Sequence, residues 1–467
     1  MGTQAFIDDW LEKRAEEQSV FLERIPEVQD TQCAFQLLLQ CAGPRANHTL
    51  RTLPPSASAE YAQTHDVKLI QCFSNVLSKR LHPLAEDIAR LPFREGGLSL
   101  RSAARSAVGA YWASWADCIS QIEARAPRAC DLLLADLRLG TAAKAPSVRE
   151  AAEAALTLQA EGFEVPTWES LRDPEFRAPQ PEGSEPGDWE KGWQFHACAA
   201  RDTYFAAQVH LPSLDPDLHA LRLSQQGPCA SRHFSVLPTA KETTFTPEQF
   251  NILLSVRLLM PLLLDNKFCR CGAELDPYGF HRSACSTTGV LKPRGTPAEV
   301  CMARICREAG ARVKENQMLR DLNVVVPATD TRKIEVIANG LPLYGGKQVA
   351  IDTTVVSALT GRGVARGRTA GQALREARRH KRNTYAEVEQ SQRCKLVVIA
   401  CEVGGRWSDE SVSFLKALAW YKAQSCPRLL RGSAYWLFFQ RWTGLLACAV
   451  QRPYAASLLG KDLGQEA

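Results

Sequence analysis

Two carboxylates stand inside apolar, strand-like segments in the C-terminal half of the chain. Glu335 lies between Ile334 and Val336, and Asp352 directly follows Ile351. Phosphodiester hydrolysis uses a divalent cation, held by carboxylates, to activate water and to neutralise the scissile phosphate. Burying an unpaired carboxylate is costly, and a bound cation offsets that cost. The two acids together therefore predict a Mg²⁺ or Mn²⁺ site, whereas each acid alone is better explained as the solvent-facing side of a strand.

Two further acids lie near these segments. Glu402 ends a third apolar run and precedes a Gly-Gly turn, so it is either another metal ligand or the residue that anchors the turn. Glu299 lies in the first turn of a helix that Thr296 is expected to cap, with Pro297 at its first position and Gly310 at its end. Glu299 is therefore either an acid that faces the metal or a charge that complements the helix dipole.

A strongly basic segment follows the second carboxylate strand. Its first half alternates glycine with arginine and predicts a loop, and its second half, residues 370–385, predicts a helix. Glu376 is the one acid among these cations, which favours contact with nucleic-acid phosphates over a solvated charged face, the alternative. The cations predicted to bind nucleic acid are Arg366, Arg368, Arg375, Arg378, Arg379 and Arg382. The same basic run also contains Arg362 and Lys381.

A compact group of metal-ligand residue types precedes these segments. Cys269 and Cys271 are followed by His281 and Cys285, all within a short segment that contains glycine. Three thiolates and one imidazole form a plausible tetrahedral Zn²⁺ set, and glycine permits the tight turns that such a loop needs. The C-x-C pair is tighter than the usual spacing, and buried cysteines beside a surface histidine are the alternative. Because all four ligands lie within 17 residues of a polar loop that contains glycine, we favour a structural zinc knuckle.

The segments that must position these groups alternate between helix and strand. After the helix near Thr296, strands are expected at 324–326, 334–337, 349–356 and 396–400, with the basic helix before the last of them. This order predicts an α/β domain. Thr246 and Pro247 predict a helix start upstream of the Cys/His group. Residues 1–160 show helical periodicity, and residues 164–190 are rich in proline and acids, as in a linker.

Composition limits the class of protein. The chain has 467 residues, a net charge of +5 and 16 cysteines, with neither an export-signal pattern nor an apolar run of membrane-spanning length. We therefore expect an intracellular, reduced protein, nuclear or cytoplasmic and not secreted, that has no membrane partner. The net charge does not by itself indicate nucleic acid, so the local basic segment carries that prediction.

The order of these motifs resembles the C-terminal endonuclease region of non-LTR retrotransposon reverse-transcriptase polyproteins, and is closest to the retroelement-like reading frames of dinoflagellates. The similarity is carried by R-K-I-E-V at 332–336, N-G-L-P-L at 339–343, I-D-T-T-V at 351–355 and E-V-G-G-R-W at 402–407. Upstream, residues 50–55 and 96–101 resemble the helical region that follows the polymerase palm in the same proteins. The resemblance covers most of the chain, except the proline-rich acidic insert.

The resemblance implies a fold and a domain plan. It implies an α/β C-terminal PD-(D/E)xK restriction-endonuclease-like domain, preceded by a mainly α-helical N-terminal region and a small CCHC-type zinc knuckle. Family domains of this kind nick DNA with a divalent metal to prime reverse transcription. The plan is a thumb-like post-palm region at 1–160, a linker at 161–190, a helical connector at 191–265, the knuckle at 266–290, the endonuclease core at 291–425 and C-terminal helices at 426–467.

The family's functional residues carry over in part. Asp352 matches the second family acid, and Lys381 and Tyr385 match the displaced lysine and the tyrosine of the following helix. Glu335 stands where the family has aspartate, and Thr354 stands where the D/E-x-K motif has lysine, so the lysine must come from Lys381. The candidate catalytic residues are Glu335, Asp352, Lys381, Tyr385, Glu402 and Glu299.

The expected function is that of a retrotransposon-derived, metal-dependent DNA endonuclease that nicks its target site. It would use a structural Zn²⁺ and a catalytic Mg²⁺ or Mn²⁺, and its partners would be DNA or RNA and a reverse transcriptase supplied in trans, since no polymerase palm is found in the sequence. A catalytically inactive nucleic-acid-binding module and a decayed element fragment are the alternatives.

Overall fold

The computed structural model describes residues 3–179, 191–210, 215–262, 268–269, 271–285, 294–322 and 324–460. The chain divides into two compact units. The first comprises residues 1–92, 99–184 and 189–211, and the second comprises residues 93–98, 185–188 and 212–467. The segment predicted as one helical connector at 191–265 is thus shared between the two. Among the described helices, none has the length and apolarity that a bilayer crossing requires.

The first unit is helical in its described part. Its core surrounds one long helix, α6, whose Trp112 is fully buried and contacts Phe163 and Trp193 edge-on. The helices are α1 (Gln4–Arg24), α2 (Thr31–Leu37), α3 (Asn47–Thr52), α4 (Pro55–Leu77), α5 (Pro83–Arg90), α6 (Ala103–Arg125), α7 (Pro127–Arg138), α8 (Pro146–Ala160) and α9 (Trp193–His210).

Part of the predicted linker belongs to this core. Phe163, Leu171 and Ala178 are buried against it, although the described part of the segment has no α-helix or strand. Proline and acidic residues prevent regular structure here, but the interspersed apolar side chains still gain free energy by leaving water. Residues 180–190 of the linker lie outside the described residues.

The second unit combines helices with one mixed sheet. Its elements are α10 (Pro216–Ser224), α11 (Arg232–Ser235), α12 (Pro247–Arg257), α13 (Phe280–Ala284), α14 (Thr296–Glu308), β1 (Arg312–Met318), β2 (Lys333–Asn339), β3 (Gln348–Val356), α15 (Gln372–Thr384), α16 (Ala386–Glu389), β4 (Cys394–Glu402), α17 (Asp409–Ala423) and α18 (Arg431–Leu459).

The sheet order is β1-β2-β3-β4. Strands β1, β2 and β3 pair antiparallel in sequence, and β4 then pairs parallel to β3. A parallel neighbour needs a crossover connection, which α15 and α16 supply between β3 and β4. The described second unit therefore runs helix, three strands, helix, strand from α14 to β4.

Helices cover the central strands on both faces. On one face, Val336, Ile351 and Val397 pack with Met302 of α14 and Trp442 of α18. The other face packs against α15 and the start of α16, and its members include Ile337, Ala350, Leu396, Val398, Leu374 and Val388. This double burial explains the nearly continuous apolar sequence of β3 and β4.

One strand prediction was wrong. Residues 324–326 form no strand, and Val325 is 95% exposed. The first strand is β1, whose R-V-K-E-N-Q-M sequence is polar because β1 has a sheet neighbour, β2, on one side only within the described residues. Its pairing with β2, rather than its own sequence, makes it a strand.

The two predicted helix caps differ in outcome. The Thr246 hydroxyl accepts the Gln249 N–H at 3.3 Å, and the Gln249 side chain accepts the Thr246 N–H, as in a capping box. Thr296 instead is the first residue of α14, and Gly295 is the cap without a side-chain bond. The expectation that Thr296 caps α14 was therefore wrong by one residue.

Candidate metal and nucleic-acid sites

The two strand carboxylates lie opposite each other in the sheet. Val336 pairs with Ile351 in antiparallel register, so Glu335 faces Asp352 across β2 and β3. Side chains alternate along a strand, which places both acids on the face that packs against α15. Residues paired in this way have Cβ atoms about 5 Å apart.

Asp352 is fully buried and has one cationic neighbour. The Lys381 Nζ lies 2.7 Å from Oδ2, yet the described residues donate no well-oriented hydrogen bond to either carboxylate oxygen. Burial raises the pKa of Asp352, and the Lys381 ammonium partly opposes that increase. The Tyr385 hydroxyl also lowers the pKa of Asp352, so Lys381 and Tyr385 together offset part of the cost of burying this carboxylate.

Glu335 is bonded to the backbone of the neighbouring strand. Its Oε2 accepts the Thr353 N–H. Burial, and to a lesser extent the charge on Asp352, raises its pKa to about 7, while the Thr353 bond works in the opposite direction. This carboxyl group therefore keeps its proton to a higher pH than an ordinary glutamate.

Glu299 interacts electrostatically with Glu335, Asp352 and Lys381. It lies half-buried in the first turn of α14. Burial raises its pKa, and the charge on Asp352 raises it too, while Lys381 lowers it. Glu299 also raises the pKa of Glu335. Three acids therefore repel one another around a single cationic side chain, and this repulsion is what a divalent cation would relieve.

Tyr385 and Lys381 reach this group from α15. Tyr385 follows the last residue of the helix, is buried, and donates its hydroxyl to the Lys333 carbonyl at 2.9 Å. Burial raises its pKa, and the nearby Asp352 carboxylate raises it further. The bond to Lys333 joins the end of α15 to the start of β2, so Tyr385 fixes the helix that carries Lys381.

An ion-pair network that the sequence did not reveal strengthens this junction. Arg332, just before β2, lies 2.6 Å from Asp330 Oδ2 and 2.7 Å from Glu387 Oε1. Its guanidinium also donates to the Thr384 carbonyl. A fork of donors suits such simultaneous contacts. The resemblance pointed to the 332–336 stretch without assigning a role to this arginine.

Glu402 lies apart from the acidic group. Asp352 pairs with Val398, and Glu402 is four residues farther along β4, about 13 Å at the usual strand rise. Glu402 is buried 3.7 Å from Arg406, beside a small cavity lined by Gly367 and Gly371. Burial raises its pKa to about 7, against the attraction of Arg406. The structure thus removes Glu402 from the ligands available to the Asp352 site.

Of the two roles expected for Glu402, the turn is the one that the structure supports. Its N–H donates to the Arg406 carbonyl, and the Gly405 N–H donates to the Glu402 carbonyl, both at 2.8 Å. Gly405 has a φ of +106°, and a Cβ there would lie 2.1 Å from the Ala230 carbonyl oxygen. This position therefore requires glycine.

The predicted nucleic-acid-binding arginines fall into two groups. Arg378 and Arg382 share one carboxylate, with Arg378 Nε 2.9 Å from Glu410 Oε2 and Arg382 Nη2 3.2 Å from Glu410 Oε1. Both are half-buried. Their charges are largely neutralised by α17, which makes them weaker candidates for phosphate contact than the sequence indicated.

The other arginines have no carboxylate partner among the described residues. Arg375 donates to the Ala370 carbonyl and to Thr369, and Arg366 donates to the Leu359 carbonyl. These bonds orient the guanidinium groups without neutralising them. Arg362, Arg366, Arg368, Arg375 and Arg379 are all exposed. Such a set of free positive charges suits contact with phosphates.

The Cys/His group forms a convergent ligand set. The ligand atoms of Cys269, Cys271, His281 and Cys285 all lie within 4.8 Å of one another. The Sγ atoms of Cys269 and Cys285 are 3.9 Å apart, close to the roughly 3.8 Å edge of a tetrahedron with Zn–S bonds of 2.3 Å. These residues can therefore hold a metal ion such as zinc, as predicted.

The histidine of this set is oriented by a second contact. His281 Nδ1 lies 2.9 Å from the Gly361 carbonyl, so this nitrogen carries the proton and Nε2 is left free as a metal ligand. Asp276 fixes the approach to α13 by accepting the N–H groups of Phe280 and His281 at 2.9 and 2.8 Å. No motif in the sequence indicates the contact with Gly361.

Only the Cys/His set, among the described residues, brings three or more ligand atoms close enough to bind a metal directly. The carboxylates of Glu299, Glu335 and Asp352 are electrostatically coupled but do not close into such a cage. Mg²⁺ does not require one, because it commonly binds through one or two carboxylates together with water and substrate phosphate oxygens.

Comparisons of the chain with protein-family models and with curated proteins found no match.

Proposed function

We propose that this protein is a metal-dependent DNA endonuclease whose site is formed by Glu335, Asp352 and Lys381. The observation that carries the proposal is the placement of two mutually repelling carboxylates on adjacent strands, Asp352 buried and Glu335 half-buried, with an ammonium group 2.7 Å from Asp352. Buried acids whose pKa values are raised in this way are concentrated at functional sites.

Two further features support the proposal. The order from α14 to β4 is helix, three strands, helix, strand, and the acids and the lysine occupy β2, β3 and the second helix, in keeping with a restriction-endonuclease-like core. Exposed arginines that have no carboxylate partner among the described residues follow β3 directly. The proposed cleavage site and the phosphate-binding segment would therefore be adjacent in the sequence.

Each residue then has a distinct role. Asp352 and Glu335 would hold Mg²⁺ or Mn²⁺, which supplies an activated water and neutralises phosphate charge. Lys381, displaced from Asp352 by the cation's charge, would orient the attacking water or stabilise the developing negative charge. Glu299 would tune the pKa of the pair, and Tyr385 would position the helix. The Cys/His set would hold a structural Zn²⁺.

A specific observation favours a second candidate, an inactive nucleic-acid-binding module. The Lys381–Asp352 ion pair already compensates part of the buried charge, and Glu335 is already bonded to Thr353. A site satisfied in this way could persist as a structural element. The exposed arginines would then bind nucleic acid without any cleavage.

Nicking of supercoiled plasmid distinguishes the two candidates. The purified chain, Asp352→Asn and the matched control Glu402→Gln would be incubated with Mg²⁺, Mn²⁺ or EDTA. The nuclease proposal expects metal-dependent nicking by the chain and by the control, and none by Asp352→Asn, which should still bind DNA. Salt-sensitive binding with no nicking under any condition would instead support the binding module.

A further inference from the structure

The contact between the Cys/His set and the basic segment has a functional consequence. Residues 358–366, here called the arginine hairpin, fold back on themselves: the Thr360 N–H donates to the Val364 carbonyl and the Arg366 N–H to the Ala358 carbonyl, both at 2.8 Å. Arg362 lies at the tip of this hairpin, next to Gly361, and is exposed. The hairpin begins just beyond β3, the strand of Asp352.

The hairpin is held against the metal-ligand segment at its tip. His281 Nδ1 bonds the Gly361 carbonyl at 2.9 Å. Just before the hairpin, Ser283 Oγ lies 3.4 Å from Ser357 Oγ. A Cβ built on Gly361 would stand 3.4 Å from the Ala284 carbonyl oxygen, so the two backbones pass in close contact. A metal ligand thus also positions the hairpin.

A second anchor is independent of the metal. The Ala365 N–H donates to Asp217 Oδ1 of α10 at 2.7 Å. This anchor holds the base of the hairpin, whereas His281 holds its tip. Loss of the metal would therefore release the tip and Arg362 without detaching the hairpin altogether.

Bound metal is expected to contribute to the order of the metal-ligand segment. Its one described helix, α13, has five residues. Structural Zn²⁺ supplies folding free energy in comparable small sites. Removing the metal should therefore loosen the orientation of His281 toward Gly361.

We propose that the zinc set acts as a clamp that fixes the arginine hairpin in its phosphate-binding position, and that it contributes to DNA affinity through the hairpin rather than by touching DNA. The clamp itself follows from the contacts above, while its effect on DNA affinity rests on the proposed function. His281 is in this account a positioning residue.

Two substitutions of metal-ligand residues distinguish the effect of bound zinc from the effect of the His281–Gly361 bond. His281→Cys offers a four-cysteine set that can retain zinc but removes the bond to Gly361. Cys271→His is the matched control, because it also exchanges one ligand type for another and leaves His281 in place. Zinc content of both variants would be measured first.

Hydrogen exchange then tests the clamp without DNA. The tip amides of Thr360 and Gly363 should exchange faster in His281→Cys and in the chelator-treated chain than in Cys271→His, while amides of β3 stay protected. Unchanged exchange of the hairpin after zinc removal would overturn the proposal. The chelator-treated, unaltered chain gives this answer even if one of the two variants fails to fold.

DNA binding tests the consequence by a double-mutant cycle. Affinity for a short duplex should fall about fivefold in His281→Cys, as expected for the loss of one hydrogen bond. Arg362→Ala should lower affinity and reduce the salt slope by about one. Adding His281→Cys to that variant should cause no further loss. Additive losses would mean that the Cys/His segment contacts DNA directly and would overturn the proposal.

Different results would refute the proposed DNA-binding function and the proposed zinc clamp. If the unaltered chain shows no salt-dependent binding to DNA, the proposed function is wrong. The exchange rates of the hairpin amides still decide whether the metal clamps it.

Discussion

Replacing Glu335 with glutamine should stabilise the protein at alkaline pH and abolish its response to Mg²⁺. Glutamine has nearly the same shape, its side-chain oxygen can still accept the Thr353 N–H, and it carries no charge. The perturbation therefore removes the repulsion with Asp352 and the cost of burying a charge, and leaves the packing intact.

The magnitude follows from the pKa of Glu335. Burial and the neighbouring acids raise it from 4.5 to about 7, which corresponds to about 3 kcal/mol. The folded state binds this proton more tightly than the unfolded state does, so the group reduces stability as pH rises from near 4.5 to about 7, and the loss is complete above that range. Glu335→Gln should thus gain up to about 3 kcal/mol over the unaltered chain at pH near 8, and almost nothing at pH near 4.

Thermal unfolding with and without Mg²⁺ measures both effects, and Glu402→Gln is the matched control. Glu402 is also buried and its pKa is also about 7. Both variants should be more stable than the unaltered chain at alkaline pH. At a Mg²⁺ concentration one hundred times the dissociation constant, the unaltered chain and Glu402→Gln should gain about 2.7 kcal/mol, and Glu335→Gln should gain almost none.

Two results would refute this reasoning. Equal stability of Glu335→Gln and the unaltered chain at alkaline pH would show that the carboxyl group is not strained by its surroundings. A Mg²⁺ response that survives in Glu335→Gln would show that the cation binds elsewhere.

Three further predictions concern the proposed site and its surroundings. The nicking rate at limiting Mg²⁺ should rise with pH as Glu335 loses its proton near pH 7, and a rate that is flat from pH 6 to 8 would contradict that assignment. Arg379→Ala should weaken DNA binding and reduce the salt slope by about one, whereas Arg378→Ala, whose charge Glu410 already balances, should have a smaller effect on affinity; equal losses in a salt titration would remove the distinction. Cys271→Ser should lower zinc content measured by atomic absorption, and full retention of zinc would exclude Cys271 as a ligand.

The central strands could be predicted because their sequences record complete burial. Apolar runs at 334–337, 349–356 and 396–400 became β2, β3 and β4. The carboxylates in β2 and β3 stood out against that background, so Glu335 and Asp352 were identified before their register was known. The Cys/His set was similarly visible, since ligand types at short spacing constrain one another.

Contacts between distant segments could not be predicted. Glu410 lies on α17, and nothing in its local sequence indicates that it neutralises Arg378 and Arg382. Glu402 resembled Asp352 in its sequence surroundings, but its position four residues beyond the Asp352 pairing partner separates the two acids. Strand β1 was missed because its pairing with β2 rather than its polar sequence makes it a strand.

The most direct test of the central claim is Mn²⁺ binding followed by electron paramagnetic resonance in the presence of duplex DNA. The unaltered chain and Glu402→Gln are predicted to bind Mn²⁺ beyond the background of DNA alone. Asp352→Asn, with the same DNA, is predicted to lose that binding. Equal Mn²⁺ binding by the unaltered chain and Asp352→Asn would contradict the assignment of Asp352 as the ligand of a catalytic metal.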